Sequence, residues 1–194
     1  VDAFGGTTGT TDDVAFTLTD KEGTGDVLNI VTKNTTGAGL FSIDAQEVET
    51  VNIDATASDQ SNSYELDIPH ATKITVDTNT TDVTIDLSVG NQAATLISEV
   101  DASAATSTGG LIFTADASNL AGITFTGSSG GDDLTGGDLG DVFTAGSGND
   151  KIDGGAGTNT ADITSGGKDE IELNSLTGKI TVTGFASGDI VDIQ

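Results

Sequence analysis

Residues 127–162 read Gly127-Ser-Ser-Gly130-Gly-Asp132-Asp-Leu134-Thr, Gly136-Gly-Asp-Leu139-Gly-Asp141-Val-Phe143-Thr, Ala145-Gly-Ser-Gly148-Asn-Asp150-Lys-Ile152-Asp and Gly154-Gly-Ala-Gly157-Thr-Asn159-Thr-Ala161-Asp. These are four nonapeptides in unbroken register. Asp132, Asp141, Asp150 and Asn159 share one position; Leu134, Phe143, Ile152 and Ala161 follow two residues later. The pattern is G-G-x-G-x-D-x-U-x, with U a large apolar residue. Its Gly-rich six residues form a turn, because Gly tolerates positive φ without steric cost. The remaining three form a short strand with one inward apolar side chain. A flexible Gly/Asp-rich linker would have no reason to keep such a register.

Two nonapeptides make one coil of a flattened parallel roll, so loops eighteen residues apart stack on one edge. Asp132 then stacks over Asp150, and Asp141 over Asn159. Neighbouring coils lie about 4.8 Å apart. Two carboxylates at that distance repel by roughly 3 kcal/mol at an effective dielectric near 20. A hard cation between them reverses the sign. Ca²⁺ takes about 6–8 oxygens, and backbone carbonyls supply those the carboxylates do not; Mg²⁺ fits worse, wanting octahedral geometry and its own waters.

The four repeats resemble the calcium-binding repeats of RTX proteins. The resemblance implies Ca²⁺ held by Asp132, Asp141, Asp150 and Asn159, with backbone carbonyls from Gly127, Gly130, Gly136, Gly148, Gly154 and Gly157. Asp133, Asn149 and Asp153 are secondary candidate ligands. Leu139 replaces a repeat Gly, Asn159 an Asp, and Ala161 the large apolar residue. The Asp141–Asn159 site is therefore expected to be weaker than the Asp132–Asp150 site.

The rest of the chain reads as strands. Val14, Phe16 and Leu18 alternate, and Val27–Val31 follow. Between them, residues 23–28 copy part of the nonapeptide, and Asp12, Asp13 and Asp26 are read as calcium ligands or ordinary acidic turn residues. Alternation continues over residues 40–43, 48–55, 64–68, 73–76 and 83–87, then at Leu96-Ile97, 111–113 and 123–125. Hairpin dipeptides are nearly absent, which disfavours an antiparallel sandwich. The expected fold is all-β: a right-handed parallel β-solenoid, with a β-helix over residues 1–126 merging into an RTX calcium β-roll over 127–162. A separate sandwich ahead of the roll is the alternative. Residues 163–194 are read as capping strands over the open end, with Asp189 a polar turn residue or a lone calcium ligand.

The succession of 48–55, 71–76, 100–105, 109–113 and 123–127 ahead of the repeats is similar to the solenoid of RTX-type bacterial surface-layer (S-layer) proteins. This resemblance implies a secreted, cell-surface structural protein that folds and self-associates on Ca²⁺, with a cell-surface glycan as a further partner. RTX proteins leave the cell through a C-terminal signal, so the lack of an N-terminal one is expected. The chain starts at Val1 and has no Met, so it is read as a fragment or processed product.

Composition narrows the function. Thirty-one acidic residues against six Lys and no Arg give a net charge of −25. Phosphates find nothing to neutralise them, which excludes nucleic acid, and anionic lipid is disfavoured for the same reason. No apolar run approaches a membrane span, so no direct membrane insertion is expected. There is no Cys, and metal can take over the stapling. His70 is the only His, too little for a triad or a zinc site. No Arg serves as the base of a calcium-dependent polysaccharide lyase, and irregular Thr spacing argues against a ranked ice face. The protein is read as no enzyme. The competing reading is the RTX secretion and folding module of an exoenzyme or adhesin.

Overall fold

The computed structural model describes residues 13–19, 25–33, 39–88, 95–174 and 177–193, the first of these stretches by its backbone. Among the described residues seventeen strands follow one another: β1 (Asp13–Thr19), β2 (Val27–Lys33), β3 (Gly39–Asp44), β4 (Thr50–Ala57), β5 (Asn62–Asp67), β6 (Lys73–Thr78), β7 (Val83–Asp86), β8 (Glu99–Asp101), β9 (Leu111–Thr114), β10 (Thr124–Thr126), β11 (Asp133–Thr135), β12 (Val142–Thr144), β13 (Lys151–Asp153), β14 (Thr158–Asp162), β15 (Glu170–Leu173), β16 (Lys179–Thr183) and β17 (Ile190–Ile193). They form two sheets. One runs β1-β2-β4-β6-β8-β10-β12-β14-β16, the other β17-β15-β13-β11-β9-β7-β5-β3. From β2 onward the chain visits the two sheets alternately and every pairing is parallel, the arrangement of a β-solenoid. No helix occurs among the described residues.

Two facing columns of side chains run through the core, and the longer strands add a second or third inward residue. Leu28, Val51, Ile74, Val100, Phe125, Phe143 and Ala161 stack along the first sheet. Tyr64, Ile85, Phe113, Leu134, Ile152 and Ile171 stack along the second. All are buried. Alternation puts them there, since every second side chain of a strand faces inward. Each large one contributes on the order of 1.5–3 kcal/mol of burial. Phe125 stacks on Phe143 with centroids 4.7 Å apart and meets the edge of Phe113 at 5.4 Å.

The coils are narrowest in the repeats. Cross-coil partners are 23 residues apart early on, as with Asn29 and Asn52, and 18 apart in the repeats. Strands shorten with them, from eight residues in β4 to three in β11, β12 and β13. Both sheets cross residue 126 unbroken, through β9–β11 and β10–β12. They also cross residue 162, through β13–β15 and β14–β16. Residues 163–193 thus join edge to edge in parallel, and Phe185, Ile190, Val191 and Ile193 remain exposed.

Two expectations need correction. β1 pairs antiparallel with β2, Asp13 opposite Lys33 and Thr19 opposite Val27, so the parallel winding begins only at β2. Residues 20–26 are too few for a parallel crossover, which takes a dozen or more. Leu96-Ile97 is not a strand; the strand is β8, whose one inward residue is Val100.

Candidate metal centre

The nonapeptide turns bring their sixth-position residues into two buried ladders, one on each edge of the roll. On the first edge, the Asp132 N–H donates to Asp150 Oδ1 (2.9 Å). The Asp150 N–H donates to Asp169 Oδ1 (3.0 Å), and the Asp169 N–H to Asp189 Oδ1 (3.1 Å). Asp132 Oδ1 in turn accepts the Leu111 N–H (2.6 Å). On the second edge, the Asp141 N–H donates to Asn159 Oδ1 (2.7 Å), and Asp141 Oδ1 accepts the Ile123 N–H (2.7 Å). Each rung therefore binds a carboxylate or amide oxygen to the backbone of the coil before it. Asp132, Asp141, Asp150, Asn159 and Asp169 are at most 2 % exposed.

The rungs differ in what holds the second oxygen. Asp132 Oδ2 accepts the Ser128 N–H (2.7 Å), and its Oδ1 also takes the Ser128 hydroxyl (2.7 Å). Asp141 Oδ2 accepts the Gly137 N–H (3.0 Å). Asp189 Oδ2 accepts the Ala186 N–H (2.6 Å). Asp150 Oδ2 is buried and has no hydrogen-bond partner. Burial pushes the Asp150 carboxyl up to about 7; the Asp132 N–H bond pulls the other way, and the Asp132 and Asp169 carboxylates add to the rise. Burial also raises Asp132 and Asp141, against the hydrogen bonds that favour their charged forms.

Asn159 stands apart. Its amide donates to the carbonyls of Gly154 (2.8 Å) and Ala156 (3.0 Å), so the last repeat turn closes on itself without a charge. The Gly157 carbonyl accepts the Lys179 N–H. Gly127 and Gly136 back directly onto the carboxylates of their own turns, Gly130 lies against the Gly109 carbonyl, and Gly148, at φ +124°, lies against the Gly130 carbonyl. On the first edge the donor set is all oxygen, buried and anionic, with one unpartnered carboxylate oxygen. That chemistry fits a hard divalent cation such as Ca²⁺. At the Asp141–Asn159 rung every polar group is already satisfied.

The remaining candidates are dispersed. Asp133 and Asp153 face outward on β11 and β13; Asp153 accepts the Gly155 N–H and the Asn174 amide (2.9 and 2.8 Å). Burial raises the Asp133 carboxyl. Exposed Asn149 accepts the Lys168 N–H (2.9 Å). Asp26 lies at the other end of the stack, its N–H on Glu49 (2.6 Å). Asp13 opens β1, and Asp12 lies outside the described residues. His70 is exposed, with Nδ1 against the Gln46 carbonyl. Glu170, Glu172 and Asp192 bring carboxylate oxygens within 4.8 Å of one another on the outer face, but Glu172 is already paired with Lys151 (3.0 Å) and Asn174 (2.9 Å). On the opposite outer face the threonines do align across strands, Thr126 with Thr144 and Thr160 with Thr181, but Val142 and Asp162 interrupt both columns.

Asp169 is the ladder residue that reading in nines left out. Thr164–Glu172 carries Asp169 and Ile171 at the sixth and eighth positions, one residue out of register because Ile163 intervenes. Rungs spaced 18, 19 and 20 residues apart are the signal that finds it. Scanned against protein-family models, curated proteins and solved structures, the chain matches none.

Proposed function

We propose that the chain is a structural segment of a calcium-dependent bacterial surface layer, without enzymatic activity, which folds and assembles outside the cell. The observation that carries this reading is the aspartate ladder of residues 132, 150, 169 and 189, the first three of them buried, whose negative charge the fold itself leaves uncompensated. Bound Ca²⁺ supplies the positive charge that offsets the mutual repulsion of such carboxylates. Where Ca²⁺ is scarce, repulsion among the rungs keeps the narrow coils loose and the chain secretable. Where it is plentiful, the aspartates are drawn together, the turns close, and each coil templates the next. Self-association into a lattice follows from the excess of acid beyond the ladder, which holds further cation at the surface and between copies. A cell-surface glycan is the proposed anchor.

The second reading, a secretion and folding module of an exoenzyme or adhesin, shares the ladder and differs in assembly. Circular dichroism and light scattering on one metal-stripped sample, titrated with Ca²⁺, separate the two. A coil-to-β transition followed by rising scattering is expected. A transition without scattering favours the module. No transition removes the ladder as a calcium site.

A further inference from the structure

In three of the four repeat turns the first residue is glycine, and the space beside it is taken by the ladder side chain. A Cβ on Gly127 would lie 2.5 Å from Asp132 Oδ2, and one on Gly154 2.7 Å from Asn159 Nδ2; on Gly136 it would be closer still to Asp141 Oδ2. In the third turn that residue is Ala145, which is fully buried and carries the methyl. In this turn the Asp150 carboxylate does not make the bond its counterparts make. Asp132 and Asp141 accept the N–H at the second turn position, from Ser128 and Gly137. The corresponding residue here is Gly146, held at φ +91°, and Asp150 Oδ2 takes no bond from it or from any other group.

The neighbours of that oxygen are unequal. Asp132 already accepts three hydrogen bonds, from Leu111, Ser128 N–H and Ser128 Oγ. Asp169 accepts one, at Oδ1 from the Asp150 N–H. Its turn presses on the preceding one: Gly166 O accepts the Gly148 N–H (3.3 Å), and a Cβ on Gly167 would overlap the Gly148 carbonyl oxygen. The turns that carry Asp150 and Asp169 are therefore stacked in direct contact.

We propose that Asp150 and Asp169 form the tightest divalent-cation site of the ladder, reaching one rung beyond the four repeats, and that Ala145 creates it by keeping Asp150 from capping its own turn. The ligands are Asp150 Oδ2, the second oxygen of Asp169 and turn carbonyls, a set suited to Ca²⁺. This rests on the reading of the ladder as a calcium site and adds where the first ion binds and which residue decides it.

The test is calorimetric titration of the metal-stripped full chain with Ca²⁺. Asp169→Asn keeps the oxygen that accepts the Asp150 N–H and removes the charge. It is expected to weaken the tightest step by roughly tenfold or more. Ala145→Gly, which removes the methyl, should weaken the same step. If Asp169→Asn keeps the wild-type tight step while Asp132→Asn loses it, the ion sits one coil earlier and the proposal falls. If the wild-type chain takes up no Ca²⁺ at all, the calcium reading of the whole ladder falls first. Should Asp169→Asn not fold, the wild-type structure solved with Ca²⁺ decides. An ion about 2.3–2.6 Å from oxygens of Asp150 and Asp169 supports the site. An ion touching Asp150 and Asp132 alone overturns it.

Discussion

Asp150, in the one repeat turn that opens on alanine, has its acidity strongly changed by its surroundings. An ordinary Asp titrates near 3.8, whereas burial and two neighbouring carboxylates push Asp150 up to about 7. Between those values the folded chain binds more protons than the unfolded one. Stability of the metal-free protein therefore falls as pH rises from about 4 to about 7, by a few kcal/mol, and this group adds nothing further above that range. Asp132 and Asp141, both raised, push in the same direction. Metal-stripped protein is expected to melt at a lower temperature at pH 8 than at pH 5. Saturating Ca²⁺ should raise the pH 8 midpoint more than the pH 5 midpoint, because the cation takes the proton's place. A pH-independent melt of the stripped protein would mean that Asp150 titrates as an ordinary carboxyl.

At the scale of the strand, three residues suffice where the inward one is large. Phe125 is fully buried between Phe113 and Phe143, so Phe125→Ala is expected to cost about 3–5 kcal/mol in chemical denaturation with Ca²⁺ present. Phe185 is 52 % exposed, and Phe185→Ala should stay within about 0.5 kcal/mol of wild type. Alternation made most strands legible in the sequence, and the ninefold register made the stacking of Asp132 on Asp150 legible too. What escaped has physical reasons. Alternation carries no direction, so the reversal of β1 shows only in the shortness of residues 20–26. Glu99-Val100-Asp101 offers a single apolar side chain, while the adjacent Leu96-Ile97 offers two and carries the stronger apolar signal. Asp169 was hidden by one inserted residue, which a turn absorbs at no cost to the strand pairing of Ile152 with Ile171. The missing bond at Asp150 belongs to the geometry of its own turn, at Ala145 and Gly146, which a count of ligands does not express.

Across the whole molecule, stability is distributed along one axis, since each coil touches only its neighbours. The wide coils bury more side chains per turn: β4 and β6 place Val51, Ile53 and Ala55, and Ile74 and Val76, in the core, where β11 and β13 place only Leu134 and Ile152. The narrow coils depend correspondingly more on the charge state of their ladder. In chelator, backbone amides from β2 to β7 are expected to resist hydrogen exchange while those from β11 to β15 exchange quickly. Adding Ca²⁺ should slow the second group with little change in the first; equal protection of both groups in chelator would refute the gradient.

The parallel stacking has a mechanical consequence. Strands lie across the long axis and their hydrogen bonds lie along it. Tension along that axis loads a few bonds at a time, so the solenoid unpeels one coil after another instead of giving way at once. A coil of the narrow part, 18 residues by its register, pays out about 60 Å of extended chain at roughly 3.4 Å per residue. On the proposed calcium ladder, the force needed to draw those coils out is expected to rise with the cation supply, which would make the segment an extensible tether of adjustable stiffness.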